Sequence, residues 1–394
     1  MTRIPASLPP ASAPPARPGA PGFAEGLGPM RRVAIVHDYL NQRGGAERVA
    51  LELSGMWLSA PIYTSLYRPD STFGEFMSRR VITTFLDQLP VDRGFRNLFP
   101  LYPLAFRQLG EINADVVIAS SSGWAHLARA APEALHVVYC HTPARWLYGG
   151  EYLGGSGTGA LRHAAIRPAL SRFRRVDRNA ASRADLYVAN SENVRRRVKV
   201  VYRLEAPVVP PPIDVDRFRP TPRGERLLVI SRLLPYKHVD LVIRAATRVG
   251  LGLDVVGDGP ELTRLREIAG PKVTFHGAVD DQTVVELTQS CRTVCVAGEE
   301  DFGMVAVEAQ AAGKPVVAYG KGGSLESVEA GLTGVFFHER TERDLIAAIT
   351  AADALETPPD VIAEHAHRFS PATFRTRLTQ VITRALEERH SRRR

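Results

Sequence analysis

The chain predicts an α/β protein built as two Rossmann-like, doubly wound domains in tandem. Three observations point there. Short apolar runs bounded by turn residues alternate with helix-period segments, which is how parallel β–α repeats read. A proline-rich stretch, Glu205 to Gly224, interrupts that alternation near the middle. Beyond it the alternation starts afresh, and 394 residues suffice for two cores.

Composition narrows the class. An apolar fraction of 44% and a charged fraction of 23% belong to a globular chain. No run approaches the ~20 apolar residues of a membrane-spanning helix. Cys140, Cys291 and Cys295 are odd in number and lack C-x-x-C spacing. They read as reduced thiols of a cytoplasmic protein, neither a disulfide framework nor a zinc site. The net charge of +8 asks for an anionic partner.

Residues 1–29 carry eight prolines and no apolar h-region, so they read as a disordered leader rather than a signal peptide, with Met30 the expected start. The first domain, 30–207, opens with a buried strand at Arg31 to Asp38. Gly44 and Gly45 follow, then a helix from about Ala46 to Trp57. Two glycines at a strand-to-helix turn let backbone amides approach a phosphate, though a plain tight turn reads equally well. The turn is not G-x-G-x-x-G, which argues against a dinucleotide oxidoreductase. Further strands are expected at Ile62–Leu66, Asp115–Ser120, His136–His141 and Asp185–Asn190. His141 then lies at a strand's carboxyl end, before the turn Thr142-Pro143-Ala144-Arg145. Residues 161–203 hold twelve Arg and Lys against Asp177, Asp185 and Glu192, an excess of nine that outweighs the whole chain's +8.

The hinge is placed at 208–224. It contains Asp214-Val215-Asp216, a D-x-D that elsewhere holds Mg²⁺ or Mn²⁺; with no strand before it, turn and capping chemistry is the better reading. The second domain, 225–369, begins with a strand at Arg226–Ser231. Arg232 and Lys237 fall in the loop after it, next to a helix N-terminus at Val239. Two fixed cations at such a place make a pyrophosphate site. Strands recur at Leu253–Val256, Val273–Phe275, Thr293–Ala297, Pro315–Tyr319 and Val335–Phe337. Gly257 and Val279 lie at or just past two strand ends, and Gly320 to Ser324 forms a close-packed turn. Ser370-Pro371 caps a last helix running to about His390 within the terminal segment 370–394.

The densest stretch is Glu299 to Ala309. Thr293–Ala297 is the strand, the acidic turn its carboxyl-end loop, and Gly303 opens a helix stopped by Gly313-Lys314-Pro315. Ligands of open α/β sheets sit on such loops. Acids there suit a guest with hydroxyls, since a carboxylate accepts two. Glu300 lies before the helix and Glu308 about a turn and a half inside it, roughly 8 Å along the axis, and helical side chains lean back, so both carboxylates could face one extended ligand. Apolar neighbours on nearly all sides bury the helix, so Glu308 requires a partner.

These residues resemble the E-x-F-G-x-x-x-x-E-A signature of retaining glycosyltransferases with the GT-B fold. The match is closest to glycosyltransferase family 4, and it extends from about Arg31 to the last helix. Arg232-x4-Lys237 matches the family's R-x4-K, and Gly44-Gly45 its first glycine loop over the donor diphosphate. The resemblance implies a nucleoside-diphosphate sugar donor and retention at the anomeric carbon. Arg232, Lys237 and the amides of Phe302, Gly303, Met304 and Val305 would hold the diphosphate. Glu300 would hold sugar hydroxyls, Glu308 the ribose, and Gly257 and Val279 the nucleoside. It also implies a sugar contact from His141, no metal or other cofactor, and a last helix crossing back to the first domain. The His-Thr-Pro-x-Arg form resembles a mannosyltransferase-like branch, making GDP-mannose the first donor, with UDP-glucose and similar donors behind it. The basic segment suggests a lipid-linked acceptor, as in surface polysaccharide or glycolipid assembly. It would be reached from an anionic membrane surface by a peripheral protein on the inner face of the cell membrane. With only Phe173, Tyr187 and Tyr202 interleaved, nucleic acid is not expected. The rivals are a nucleotide-sugar epimerase or phosphorylase on the same fold, and a binding protein without catalysis.

Overall fold

The computed structural model describes residues 32–90, 98, 100–148 and 160–393, the side chains of 160–168 and 393 excepted. The proposed leader and Met30 lie outside these residues. Two six-stranded parallel sheets dominate the described chain. The first comprises β1 (Val33–His37), β2 (Ile62–Thr64), β3 (Val81–Thr83), β5 (Val116–Ser121), β7 (Leu135–Cys140) and β8 (Leu186–Ala189), in the order β3-β2-β1-β5-β7-β8. A parallel pair, β4 (Glu111–Ile112) and β6 (Arg129–Ala130), lies apart from it. The second comprises β9 (Leu227–Ile230), β10 (Leu253–Val256), β11 (Val273–Gly277), β12 (Thr293–Val296), β13 (Val316–Tyr319) and β14 (Gly334–Phe337). Its order is β11-β10-β9-β12-β13-β14.

Both orders have the 3-2-1-4-5-6 winding of a Rossmann sheet. The strand order therefore reverses beside β1 in one sheet and beside β9 in the other, and ligands of such sheets bind outside the strand ends at that point. Burial explains the strands: β1, β5 and β7 are enclosed over their full length, as parallel strands covered on both faces must be.

The connection between the sheets is packed rather than free. Ile213, Val215 and Phe218 share a core with Phe302, Val307 and Phe369 of the second half. Asp214 and Asp216 fall at a single 3-10 turn, Val215–Arg217, and the Asp214 side chain does not cap it. The expected turn is present there; the capping is not. The last helix, Pro371–Arg393, is capped by the Ser370 hydroxyl, which accepts from Thr373 N at 3.3 Å. It buries Phe374, Leu378, Ile382 and Leu386 among Val33, Ile35 and Tyr139 of the first sheet. The chain thus returns to its first half, as the resemblance implied.

Candidate active site

At the second switch point, β9 leads into Arg232 and the short turn Pro235–Lys237, and β12 into Glu300. The winding order places these two loops side by side, and their side chains meet. Lys237 Nζ donates to both Glu300 oxygens, at 2.6 and 2.7 Å. The two residues read separately from sequence therefore form one half-buried ion pair.

The glycines have steric reasons. A Cβ on Gly257 would lie 1.9 Å from the Ser231 carbonyl, and its φ of +128° suits glycine alone. On Gly322 and Gly323 it would meet the Glu300 carbonyl at 2.5 Å and the Asp301 carbonyl at 2.2 Å, so the Gly320–Ser324 turn packs directly under the acidic loop. Gly303, at φ +94°, starts the helix Met304–Ala311. The Phe302 ring is buried against Phe369 at 5.2 Å, so only its main chain can serve a ligand. Val279 is half-buried against the core beneath β9 and β12. Glu308 has the partner that its burial demands: Arg217 donates to it at 2.6 Å. Arg217 also stands 3.8 Å from Asp281, which takes Arg48 of the first half at 2.7 Å.

The first half meets this site from across the cleft. Gly44 precedes the helix Gly45–Met56, and a Cβ on Gly45 would come 2.6 Å from Met304 Sδ. Arg145 and Arg197 both reach the Asp301 carboxylate, at 2.5 and 2.6 Å, and Arg197 also holds Glu299 at 2.8 Å. Ser191 donates to the Asp301 carbonyl at 2.6 Å. Glu326 accepts from Glu192 N and Asn193 N, at 2.6 and 2.8 Å, at the start of the helix Glu192–Tyr202. His141 is buried, with its neutral form held by burial down to about pH 4, and the Asp301 charge acts against that shift.

Several of these participants escape sequence reasoning. Glu47 looks like an ordinary first-turn acid, yet it is enclosed, accepts from Gln42 at 2.8 Å, and is raised to about 7 by burial, with Arg232 pulling the other way. A Cβ on Gly44 would lie 2.5 Å from its Oε2, so glycine there makes room for the carboxyl. Asp38, one residue past β1, accepts from Trp124 N at 2.9 Å and Ala125 N at 2.6 Å, pinning the loop after β5. Charge at a strand's carboxyl end was the available signal for Asp38. The basic segment is also less bare than its composition suggests, since Glu205, Glu299 and Asp301 from outside it engage Arg195, Lys199 and Arg197.

Comparison with known proteins completes the picture. The profile of Glycosyltransferase Family 4 matches residues 43–217, and that of Glycosyl transferases group 1 matches 215–375. The chain belongs to glycosyltransferase family 4. It is 31% identical over 191 residues to a D-inositol 3-phosphate glycosyltransferase of Mycobacterium leprae, covering 41% of this chain and 45% of that one. It is 34% identical over 164 residues to a GDP-mannose-dependent alpha-(1-6)-phosphatidylinositol monomannoside mannosyltransferase of Mycobacterium tuberculosis, covering 34% and 43%. These matches span less than half the length of those relatives. The crystal structure of Anabaena HepE in complex with UDP and glucose superposes with a TM-score of 0.70 at 20% identity, covering 90% of this chain and 100% of that one. Sucrose-phosphate synthase from Thermosynechococcus elongatus also gives 0.70, at 16% identity over 91% and 100%. The fold of this family 4 chain is accordingly GT-B. Among its described residues no helix is long and apolar enough to cross a membrane.

Proposed function

We propose that this protein transfers a hexose from a nucleoside-diphosphate sugar to an acceptor hydroxyl, with retention at the anomeric carbon. The observation that carries the reading is the Lys237–Glu300 pair at the switch point of the second sheet, with Arg232 on the same loop as Lys237, Gly45 of the first half against Met304, and His141 under the charge of Asp301. Arg232, Lys237 and the amides at the start of the Met304 helix stabilise charge growing on the departing diphosphate; removing one such preorganised donor costs about 10²–10³ in rate. Glu300 orients sugar hydroxyls, Glu308 the ribose. The acceptor oxygen bonds to the anomeric carbon as the bond to the phosphate oxygen breaks, and the acceptor proton passes to that phosphate oxygen. No carboxylate stands as a nucleophile in this scheme, and the two cations serve the diphosphate without a metal.

Mannose is the first sugar to test, supported by the His-Thr-Pro-x-Arg segment and by similarity to a GDP-mannose-dependent relative. A lipid-linked acceptor at an anionic membrane surface is supported by the basic helices. Val176 is exposed beside exposed Arg172 and Arg175, and Val200 beside Arg196 and Arg203. The deciding experiment measures nucleotide release from GDP- and UDP-sugars by purified protein, with and without chelator. Release from GDP-mannose undiminished by chelator is expected. No release from any donor overturns the reading, and activity abolished by chelator and restored by Mg²⁺ or Mn²⁺ overturns its metal-free part.

A further inference from the structure

At the switch point of the first sheet three polar side chains form a chain leading outward. His37 ends β1, and Ser120 is its register partner on β5. His141 follows β7, whose Cys140 pairs with Ser121. His37 Nδ1 lies 3.1 Å from Ser120 Oγ, and Ser120 Oγ lies 2.8 Å from His141 Nε2. His37 and Ser120 are wholly enclosed, and His37 Nε2 meets no partner. His141 Nδ1 also has no partner among the described residues, yet it is not enclosed, so it is the nitrogen that reaches the cleft.

We propose that Ser120 and His37 are positioning residues that lock His141 as its Nδ1–H tautomer, so that it offers a hydrogen-bond donor to an oxygen of the bound sugar. This rests on the transferase reading above. A serine hydroxyl has one proton and two lone pairs; were both imidazoles to donate to it, its own enclosed proton would meet no acceptor among the described residues, so one ring must accept that proton. In one arrangement His37 donates from Nδ1 to Ser120, Ser120 donates to His141 Nε2, and the His141 proton sits on Nδ1. In the other every direction reverses, and His37 must carry its proton on the enclosed Nε2. An enclosed N–H without an acceptor is the rarer and costlier orphan, so the first arrangement wins.

The charges around the chain leave that choice to the hydrogen bonds. Burial keeps both rings neutral, which leaves each a single N–H to place. Asp301, on the loop across the cleft, is the charge that acts on His141, and its own oxygens are taken up by Arg145 and Arg197. Asp38 acts on His37, but its oxygens are committed to the amides of Ser122, Trp124 and Ala125. His141 therefore has no lone pair facing the cleft and cannot serve there as a base.

The test uses the full chain with ¹⁵N-labelled histidine and long-range ¹H–¹⁵N correlation, His141 being assigned by loss of its signals in H141Q. A pyrrole-type Nδ1 with a pyridine-type Nε2 on His141 is expected, and Nδ1–H on His37. A proton on His141 Nε2 overturns the proposal. In parallel, Ser120→Ala should scramble the His141 tautomer and lower kcat/KM about tenfold, with Ser120→Thr recovering much of it. An S120A protein with an unmoved tautomer and full turnover also overturns it. Wild-type protein that shows the expected nitrogen pattern but releases nucleotide from no donor overturns the transferase reading and upholds the tautomer.

Discussion

Lowering the pH from 7 to 5 should destabilise the first half of the molecule by about 3 kcal/mol, and the terms can be worked singly. His37, His136 and His141 are each driven down to about 4 by burial, from 6.5. Between those values the unfolded chain binds a proton that the fold refuses, so stability falls as pH falls. At pH 5 each ring costs about 2 kcal/mol, from about 1.5 units at 1.36 kcal/mol per unit, hence about 5–6 kcal/mol for the three. Glu47 opposes them. Burial raises its carboxyl from 4.5 to about 7, so the fold keeps a proton that the unfolded chain releases. Acidification to pH 5 returns about 2 kcal/mol of that cost. The assay is unusually clean, because the chain's three tryptophans, Trp57, Trp124 and Trp146, all lie in the first half. Urea unfolding followed by their fluorescence reads that half alone. His136→Gln should remove about 2 kcal/mol of the acid loss, roughly two thirds of the net. Equal unfolding free energies at the two pH values, or histidine C2-proton titrations near 6.5, would refute the burial argument.

Three other outcomes are expected. Arg232→Ala, Lys237→Ala and Glu300→Ala should each cut kcat/KM by about 10²-fold or more while the fold persists, and a folded variant with near-normal turnover would remove that residue from the site. Arg197→Ala strips one of two arginines from Asp301 and the only one from Glu299 among the described residues; amide exchange in Glu299–Gly303 should quicken several-fold, and unchanged protection would mean the clamp contributes nothing. Sedimentation with anionic vesicles at low salt, lost at 1 M salt and absent with neutral lipid, is expected from the basic helices at about 1 kcal/mol per Lys or Arg near the surface. Protein left in the supernatant would refute the membrane reading.

The main strands were readable because parallel strands buried on both faces become uninterrupted apolar runs. β3 escaped for the converse reason: Val81–Thr83 is a three-residue edge strand, only half-buried. The two-residue strands β4 and β6 are too short to leave a pattern. Arg232, Lys237 and Glu300 were found because a polar residue just past an apolar run lands at a strand's carboxyl edge. Their pairing was hidden, since it depends on β9 lying beside β12, which only the winding order supplies. Burial of Glu308 was legible from its apolar neighbours, but its partner was not: Arg217 sits 91 positions earlier, in a turn that sequence read only for its aspartates. His37 and Ser120 lie inside strands, where a polar residue is easily taken for noise. Once β1 and β5 are known to flank a switch point, polar residues at their carboxyl ends become the signal.

The two halves are joined by two sets of contacts that differ in how much apolar surface backs their ion pairs. At one edge the last helix plants Phe374, Leu378, Ile382 and Leu386 in the first core, with the Arg375–Glu52 and Arg389–Asp185 ion pairs beside them. At the mouth the contacts are ionic: Arg145 and Arg197 on Asp301 and Glu299, and Arg48 on Asp281. Partly exposed pairs of this kind contribute little singly and are screened within ~8 Å at physiological ionic strength. The mouth, which among the described residues has no comparable apolar cluster behind its ion pairs, is therefore expected to lose more of its hold at high salt than the last helix does. Asp301 lies between Glu300 and Phe302, on the loop that carries the site. The arginines on Asp301 thus hold the loop one residue away from the Lys237–Glu300 pair.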